Sequence, residues 1–222
     1  MLRKTSGNMY SFSTHTWNPI KGECPHGCEY CYMRRWGQQK PAHLDEKELR
    51  ADLGRGNTIF VGSGIDMWAD EIPDIWIFCV LDTIWAYDEN TYLFQSKNPK
   101  RFKFNFPLRN KTPYIVCTTI ETNRTYQQMG KTPSPHDRAF ALSEIPGRKM
   151  VTIEPIMDFD LLELVYLLKV ANPEQVNIGS DSKRHGLPEP PAGKIRELIA
   201  EVETFTKVYQ KPNLARLMGE GK

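Results

Sequence analysis

Gly22-Glu23-Cys24-Pro25-His26-Gly27-Cys28-Glu29-Tyr30-Cys31-Tyr32 sets three residues between its first two cysteines and two between the next pair. The run follows the first strand-like stretch, Tyr10 to Thr16. Three thiols on so short a loop can converge on one inorganic cluster, and they leave one iron of a [4Fe-4S] cube open for chemistry. The alternative is a zinc knuckle, with His26, His15 or His43 as a fourth ligand, in a non-enzymatic interaction module. A closed zinc shell usually draws on a second Cys-x-x-Cys or Cys/His pair, which this chain lacks. A ferredoxin-like cluster needs a fourth cysteine, and neither Cys79 nor Cys117 has the local spacing.

Outward from this loop, apolar strand-like runs alternate with helical stretches. The predicted strands are Tyr10 to Thr16, Thr58 to Gly62, Thr91 to Ser96, Tyr114 to Ile120, Lys149 to Glu154 and Gln175 to Gly179, each bounded by Gly, Pro, Asn or Asp. The predicted helices are Asp45 to Leu53, Asp74 to Ala86, a segment capped by Ser134, Asp160 to Ala171, and Ala192 to Val208. Parallel strands need crossovers, so this alternation predicts an α/β fold with helices outside a parallel sheet. Six such units predict a (β/α)6 partial TIM barrel, a single domain over residues 1–222, with binding groups at the C-terminal strand ends.

Composition narrows the class. A mean hydropathy of −0.52 with 40% hydrophobic and 25% charged residues excludes membrane-embedded and collagenous chains. No apolar stretch reaches the ~20 residues of a spanning helix, so no membrane partner is expected. The basic N-terminus lacks the apolar run of a secretory signal, and a cytoplasmic protein is expected. With 29 basic and 27 acidic residues the net charge is +2, which gives no strong global field for nucleic acid. Three of the five cysteines lie within eight residues, which reads as metal ligation rather than a disulfide framework.

Cys-x-x-x-Cys-x-x-Cys after the first strand, with Tyr30 before the last cysteine, resembles the signature of radical S-adenosylmethionine (SAM) enzymes, and the βα pattern extends the resemblance over nearly the whole chain. Thr16-Trp17-Asn18-Pro19, Gly27-Cys28-x-Tyr30-Cys31-Tyr32, Ser96-Lys97-Asn98-Pro99 and Ile153-Glu154-Pro155 are similar to an uncharacterised, phage-associated branch of that superfamily. The chain is also similar, over fewer residues, to spore photoproduct lyase. The resemblance implies a cluster on Cys24, Cys28 and Cys31 with SAM on its fourth iron. It also implies a one-electron donor of flavodoxin or ferredoxin type, and a 5′-deoxyadenosyl radical that abstracts hydrogen from the substrate. Tyr30 is expected against adenine, with Tyr32 beside it. The family's Gly-Gly-Glu-like turn after strand two is replaced by Gly62-Ser63-Gly64-Ile65-Asp66, where Ser63 or Asp66 would receive the SAM ammonium; the competing reading of Asp66 is a helix cap.

Other strand ends add candidates. Ser96 and Lys97 follow strand three. Cys117, Thr119 and Glu121 share one face of strand four, and Thr152 and Glu154 one face of strand five. Thr119, Glu121 and Glu154 are expected to touch SAM or substrate, because carboxylates ending neighbouring strands are costly as core fillers. Cys117 is a candidate hydrogen-atom donor, against the reading of a small buried core residue. The stretch Lys97 to Lys111 interleaves Lys100, Arg101, Lys103, Arg109 and Lys111 with Phe102, Phe104 and Phe106. That pattern suits a single-stranded nucleic-acid groove, and suits equally an amphipathic segment with Phe in the core. A nucleobase or nucleotide substrate therefore competes with a small metabolite, and a peptide is least favoured.

Overall fold

The structure, a computed structural model, describes residues 1–105 and 112–219. Its strands are β1 (Arg3–Lys4), β2 (His15–Trp17), β3 (Ile20–Lys21), β4 (His43–Leu44), β5 (Thr58–Val61), β6 (Thr91–Ser96), β7 (Tyr114–Thr119), β8 (Arg148–Ile153), β9 (Gln175–Ile178) and β10 (Lys207–Gln210). Eight form one sheet in the order β1-β2-β5-β6-β7-β8-β9-β10. Every neighbouring pair in it is parallel except β1 with β2. The other two strands make a separate antiparallel pair. The helices are α1 (Glu46–Leu49), α2 (Asp74–Trp85), α3 (Phe102–Asn105), α4 (Pro135–Ser143), α5 (Leu161–Ala171), α6 (Ala192–Glu203) and α7 (Ala215–Met218). This is the expected partial barrel, extended by a seventh parallel strand and an antiparallel edge strand.

Side-chain alternation along the strands makes two cores. Ile59, Val61, Tyr92, Phe94, Val116, Val151, Ile153, Val176 and Ile178 face the helices and pack with Val80, Leu164, Leu168, Leu198 and Val202. The intervening residues Phe60, Leu93, Ile115, Cys117 and Met150 point the other way, into the barrel interior, where Tyr10 joins them. Strands buried on both faces read as continuous apolar runs, which is why five of the six predicted ones, Thr58 to Gly62 onward, match to within a residue at either end. Burial of each large apolar side chain contributes about 1.5 to 3 kcal/mol.

Three expectations are corrected. Residues 10–13 are a turn, not strand: the Ser13 amide donates to the Tyr10 carbonyl at 3.0 Å, and the ring of Tyr10 turns inward against Phe60 and Phe12. The helix predicted over Ala192 to Val208 ends at Glu203, and Lys207–Gln210 instead pairs in parallel with β9. Phe205 and Val208 still pack on the core, which imitated helical periodicity. The charged helix over Asp45 to Leu53 is a single turn, Glu46–Leu49, whose N-terminus the Asp45 carboxylate caps through the Lys47 amide at 3.0 Å. The Ser134 cap forms as expected, its hydroxyl accepting from the Asp137 amide at 3.1 Å.

Candidate active site

The cysteine loop is held on a second loop distant in sequence. The Glu29 amide donates to the Gln128 carbonyl at 2.9 Å, the Lys131 amide to the His26 carbonyl at 2.8 Å, and the Cys28 thiol to the Met129 carbonyl at 3.2 Å. Only glycine allows this approach: Gly130 has φ +69°, and a Cβ there would lie 2.1 Å from the His26 carbonyl oxygen. Arg34 braces the other side, donating to the carbonyls of Cys28 at 2.9 Å and Gly27 at 3.0 Å.

Cys24, Cys28 and Cys31 are all free thiols and line one cavity of about 690 Å³ at the C-terminal ends of the strands. Burial pushes the Cys24 thiol up to about 12. Tyr30, Tyr32, Gly62, Ser63, Gly64, Asp66, Ser96, Lys97, Thr119 and Glu154 line the same cavity, so the sequence-predicted residues are brought together, except Glu121 and Cys117. Among the described residues no three His, Cys, Asp or Glu side chains stand close enough to share a single metal ion. A four-iron cube takes each thiolate on a separate iron, so three free thiols lining one cavity are compatible with it.

Asp66 ties three stretches of chain together. Its Oδ2 accepts from His26 Nε2 at 2.8 Å, the Ser96 hydroxyl at 3.0 Å and the Lys97 amide at 2.8 Å, while Oδ1 accepts from the Trp68 amide at 3.0 Å. Burial alone would raise this carboxyl, but the bonds from His26 and the backbone bring it below its usual range. Asp66 caps no helix, since the next one, α2, begins at Asp74 after Pro73; its bond from the Trp68 amide closes a turn. Upstream, Asn18 Oδ1 accepts from the Ser63 hydroxyl and the Gly64 amide, both at 3.1 Å, fixing the turn Gly62 to Asp66.

Glu121 lies behind the cavity wall, fully buried. It accepts from Arg138 at 2.7 Å, Lys97 at 2.6 Å and the Tyr30 hydroxyl at 2.5 Å. Burial would raise its carboxyl, yet the Arg138 and Lys97 charges hold it well below the usual carboxylate range. Lys97 Nζ is 3.5 Å from Cys28 Sγ and 4.3 Å from the centre of the Tyr30 ring. Burial opposes its ammonium form, but Glu121 overrides this and raises it above an ordinary lysine. Tyr30 is raised by burial and by the Glu121 charge.

The far side of the cavity contains residues that sequence reading missed. Glu154 accepts from Lys211 at 2.5 Å and from Asn213 and Asn8 at 2.7 Å each. A Cβ at Gly179 would lie 2.7 Å from Glu154 Oε1 and 2.8 Å from Asn213 Oδ1. Tyr10 donates to Gln95 at 2.7 Å, and Gln95 to Thr119 at 3.1 Å. The Thr152 hydroxyl is buried against the cavity without a hydrogen bond of normal geometry. Cys117 is fully buried 3.7 Å behind the Tyr10 hydroxyl, and burial pushes its thiol up to about 12. Lys211 and Asn213 had a signal in the sequence only once β10 was recognised as a strand; Tyr10 had none, being assigned to a strand itself.

The described part of the basic-aromatic segment includes side chains used in structure. Phe102 is fully buried with its ring centre 4.9 Å from Trp68, Arg101 reaches the Ala69 and Ile72 carbonyls and Asp74, and Lys103 pairs with Glu144. The side chain of Phe104, together with Phe106, Arg109 and Lys111, lies outside the described residues.

No protein-family model matches the chain, and no curated protein matches it. Solved structures do. Spore photoproduct lyase complexed with dinucleoside spore photoproduct superposes with a TM-score of 0.64 at 12% identity, covering 92% of this chain and 78% of that one. A cysteine-to-serine mutant of that lyase gives 0.63 at 14% identity over 94% and 80%. A double mutant of it with bound AdoMet and dinucleoside spore photoproduct gives 0.57 at 13% identity over 90% and 64%. The likeness is one of fold. Among the described residues no helix is long and apolar enough to cross a membrane.

Proposed function

We infer that this chain is a radical SAM enzyme acting on a nucleobase or nucleotide, a single domain over residues 1–222 served by a flavodoxin- or ferredoxin-like one-electron donor. The observation that carries this is the convergence of Cys24, Cys28 and Cys31, in the spacing Cys-x3-Cys-x2-Cys, on one cavity at the strand ends of a partial barrel. The fold shared with spore photoproduct lyase, solved with AdoMet and dinucleoside spore photoproduct, supports both the cofactor and the substrate class.

In this assignment the three cysteines hold a [4Fe-4S] cluster. With SAM bound and one electron added, such a cluster would supply the radical chemistry by which a hydrogen atom is taken from substrate. The protein's own residues divide the cavity. The turn Gly62 to Asp66, with Ser96, Lys97, Tyr30 and Tyr32, would hold SAM on the cysteine side. The Lys97 ammonium stands beside Cys28, where it would favour negative charge on a group held by the cysteines. Glu121 and Arg138 hold that ammonium in place without touching the ligand. On the opposite side Tyr10, Gln95, Thr119 and Thr152 present neutral hydrogen-bonding groups suited to the edge of a base, and Glu154 with Lys211 closes the wall. Cys117 would return a hydrogen atom only across the Tyr10 hydroxyl, which stands between it and the cavity.

Anaerobic reconstitution with iron and sulfide, followed by dithionite and SAM, tests the assignment. About four irons and four sulfides per chain and slow release of 5′-deoxyadenosine with methionine are expected. One zinc per chain and no SAM cleavage over hours would favour the interaction module instead.

A further inference from the structure

The 3-10 turn Tyr32–Trp36 leaves the last cysteine and carries two exposed rings, Tyr32 at 44% and Trp36 at 64% exposure. Arg35 lies between them, its guanidinium carbon 5.8 Å from the Tyr32 ring centre and 4.7 Å from that of Trp36. Tyr32 and Arg35 also line the cavity, so the ladder of ring, cation and ring begins at its rim and runs outward. Tyr32 is fixed at that rim by its hydroxyl, which donates to the Ser63 carbonyl at 2.5 Å. It forms a wall shared with a second groove of about 350 Å³, whose lining includes Arg3 and Gln39. Among the described residues neither Arg3 nor Arg35 has a hydrogen bond or ion pair from its side chain.

Arg35 lies against both ring faces, but among the described residues its N–H donors make no hydrogen bond, which leaves them for an anion beside the exposed rings. Bases stack on such rings while cations follow the phosphates, at about 1 to 3 kcal/mol per stacked base. An acidic protein would use the charge but has no need of rings continuous with the cavity. We propose that Tyr32, Arg35 and Trp36 form a track for single-stranded nucleic acid, holding the nucleotides that flank the one in the cavity. This rests on the nucleotide substrate inferred above.

Fluorescence anisotropy of a labelled single-stranded DNA of about 12 nucleotides, titrated with reconstituted protein in the absence of reductant, tests the track. Trp36→Ala is expected to weaken binding about 5- to 150-fold. Arg35→Gln is expected to flatten the log-log salt dependence by about 0.7. Tyr166→Ala, which removes an exposed ring on α5, should change neither, and melting curves should be alike for all three. Unchanged binding by Trp36→Ala, or no binding by the parent protein at low salt, overturns the proposal. Unchanged DNA binding with slowed cluster reduction by a flavodoxin overturns it in favour of an electron-donor face. Loss of the SAM assignment would leave these binding curves as they are. Equal turnover of a free nucleotide by parent and Trp36→Ala, with unaltered DNA binding, would remove the track alone.

Discussion

Glu121 and Arg138, neither exposing any side-chain surface, meet at 2.7 Å behind the cysteine loop. Through Lys97, 2.6 Å from the same carboxylate and 3.5 Å from Cys28 Sγ, α4 is joined to the thiols by an unbroken line of charges. Arg138 also donates to the carbonyls of Thr119 and Pro133 and the hydroxyl of Thr132, so each of its three guanidinium nitrogens has an acceptor.

Glu121→Gln removes one charge and leaves two opposing cations buried. It should cost about 3 to 5 kcal/mol, read as a large fall in melting temperature. A fall below ~1 kcal/mol would mean that water enters the site.

The same carboxylate sets an acid limit. Its folded value lies below its unfolded value of about 4.3, so the unfolded chain takes up the proton more readily. The stabilisation is complete above pH ~4.3 and is lost as pH falls from there through the folded value. Urea melts across that range should show a steeper acid loss for the parent than for Glu121→Gln; parallel curves would place the acid sensitivity elsewhere.

Cys28→Ala should abolish cluster binding, as should the same change at Cys24 or Cys31, while Cys79→Ala should not. Cys79 belongs to α2, and its carbonyl accepts the Thr83 hydroxyl at 3.0 Å, remote from the cavity lining. Brown anaerobic protein retained by Cys28→Ala would refute the ligand assignment.

Gly130→Ala should act on iron without touching a ligand. Its Cβ would meet the His26 carbonyl at a positive φ, costing about 1 to 3 kcal/mol and moving the cysteine loop. Reduced iron content beside an intact far-ultraviolet dichroism spectrum is the expected result; normal iron loading would show that the two loops part easily.

Glu154→Gln and Lys211→Met each break the bridge on the far wall. Charge-assisted bonds of this kind contribute about 1.5 to 3 kcal/mol, so ligand affinity in the cavity should fall about tenfold or more by calorimetry. If SAM binding is unchanged while substrate binding falls, Glu154 belongs to the substrate side alone.

The cysteine side of the site was legible because ligand spacing is local: Cys24, Cys28, Cys31 and Tyr30 declare themselves within eight residues. The five parallel strands from Thr58 onward were legible because burial on both faces leaves apolar runs between turn residues. What stayed hidden depends on contacts across the chain. Tyr10 meets Cys117 over 107 positions, and Asn8 meets Glu154 over 146. No period in either stretch announces such a partner. β10 was masked because Phe205 and Val208 pack inward at helical offsets by coincidence. Glu121 was identified as a carboxylate needing a partner, but Arg138 inside a capped helix gave no sign of being that partner.

Asp66 binds three separate stretches of chain through one carboxylate, and this constrains how the sequence can drift. A change at 66 removes the acceptor that His26 and Ser96 share, while a change at either of those takes one donor from a buried carboxylate beside the cysteines. Positions 26, 66 and 96 should therefore vary as a set among descendants of this chain, with single departures rare and paired replacements tolerated.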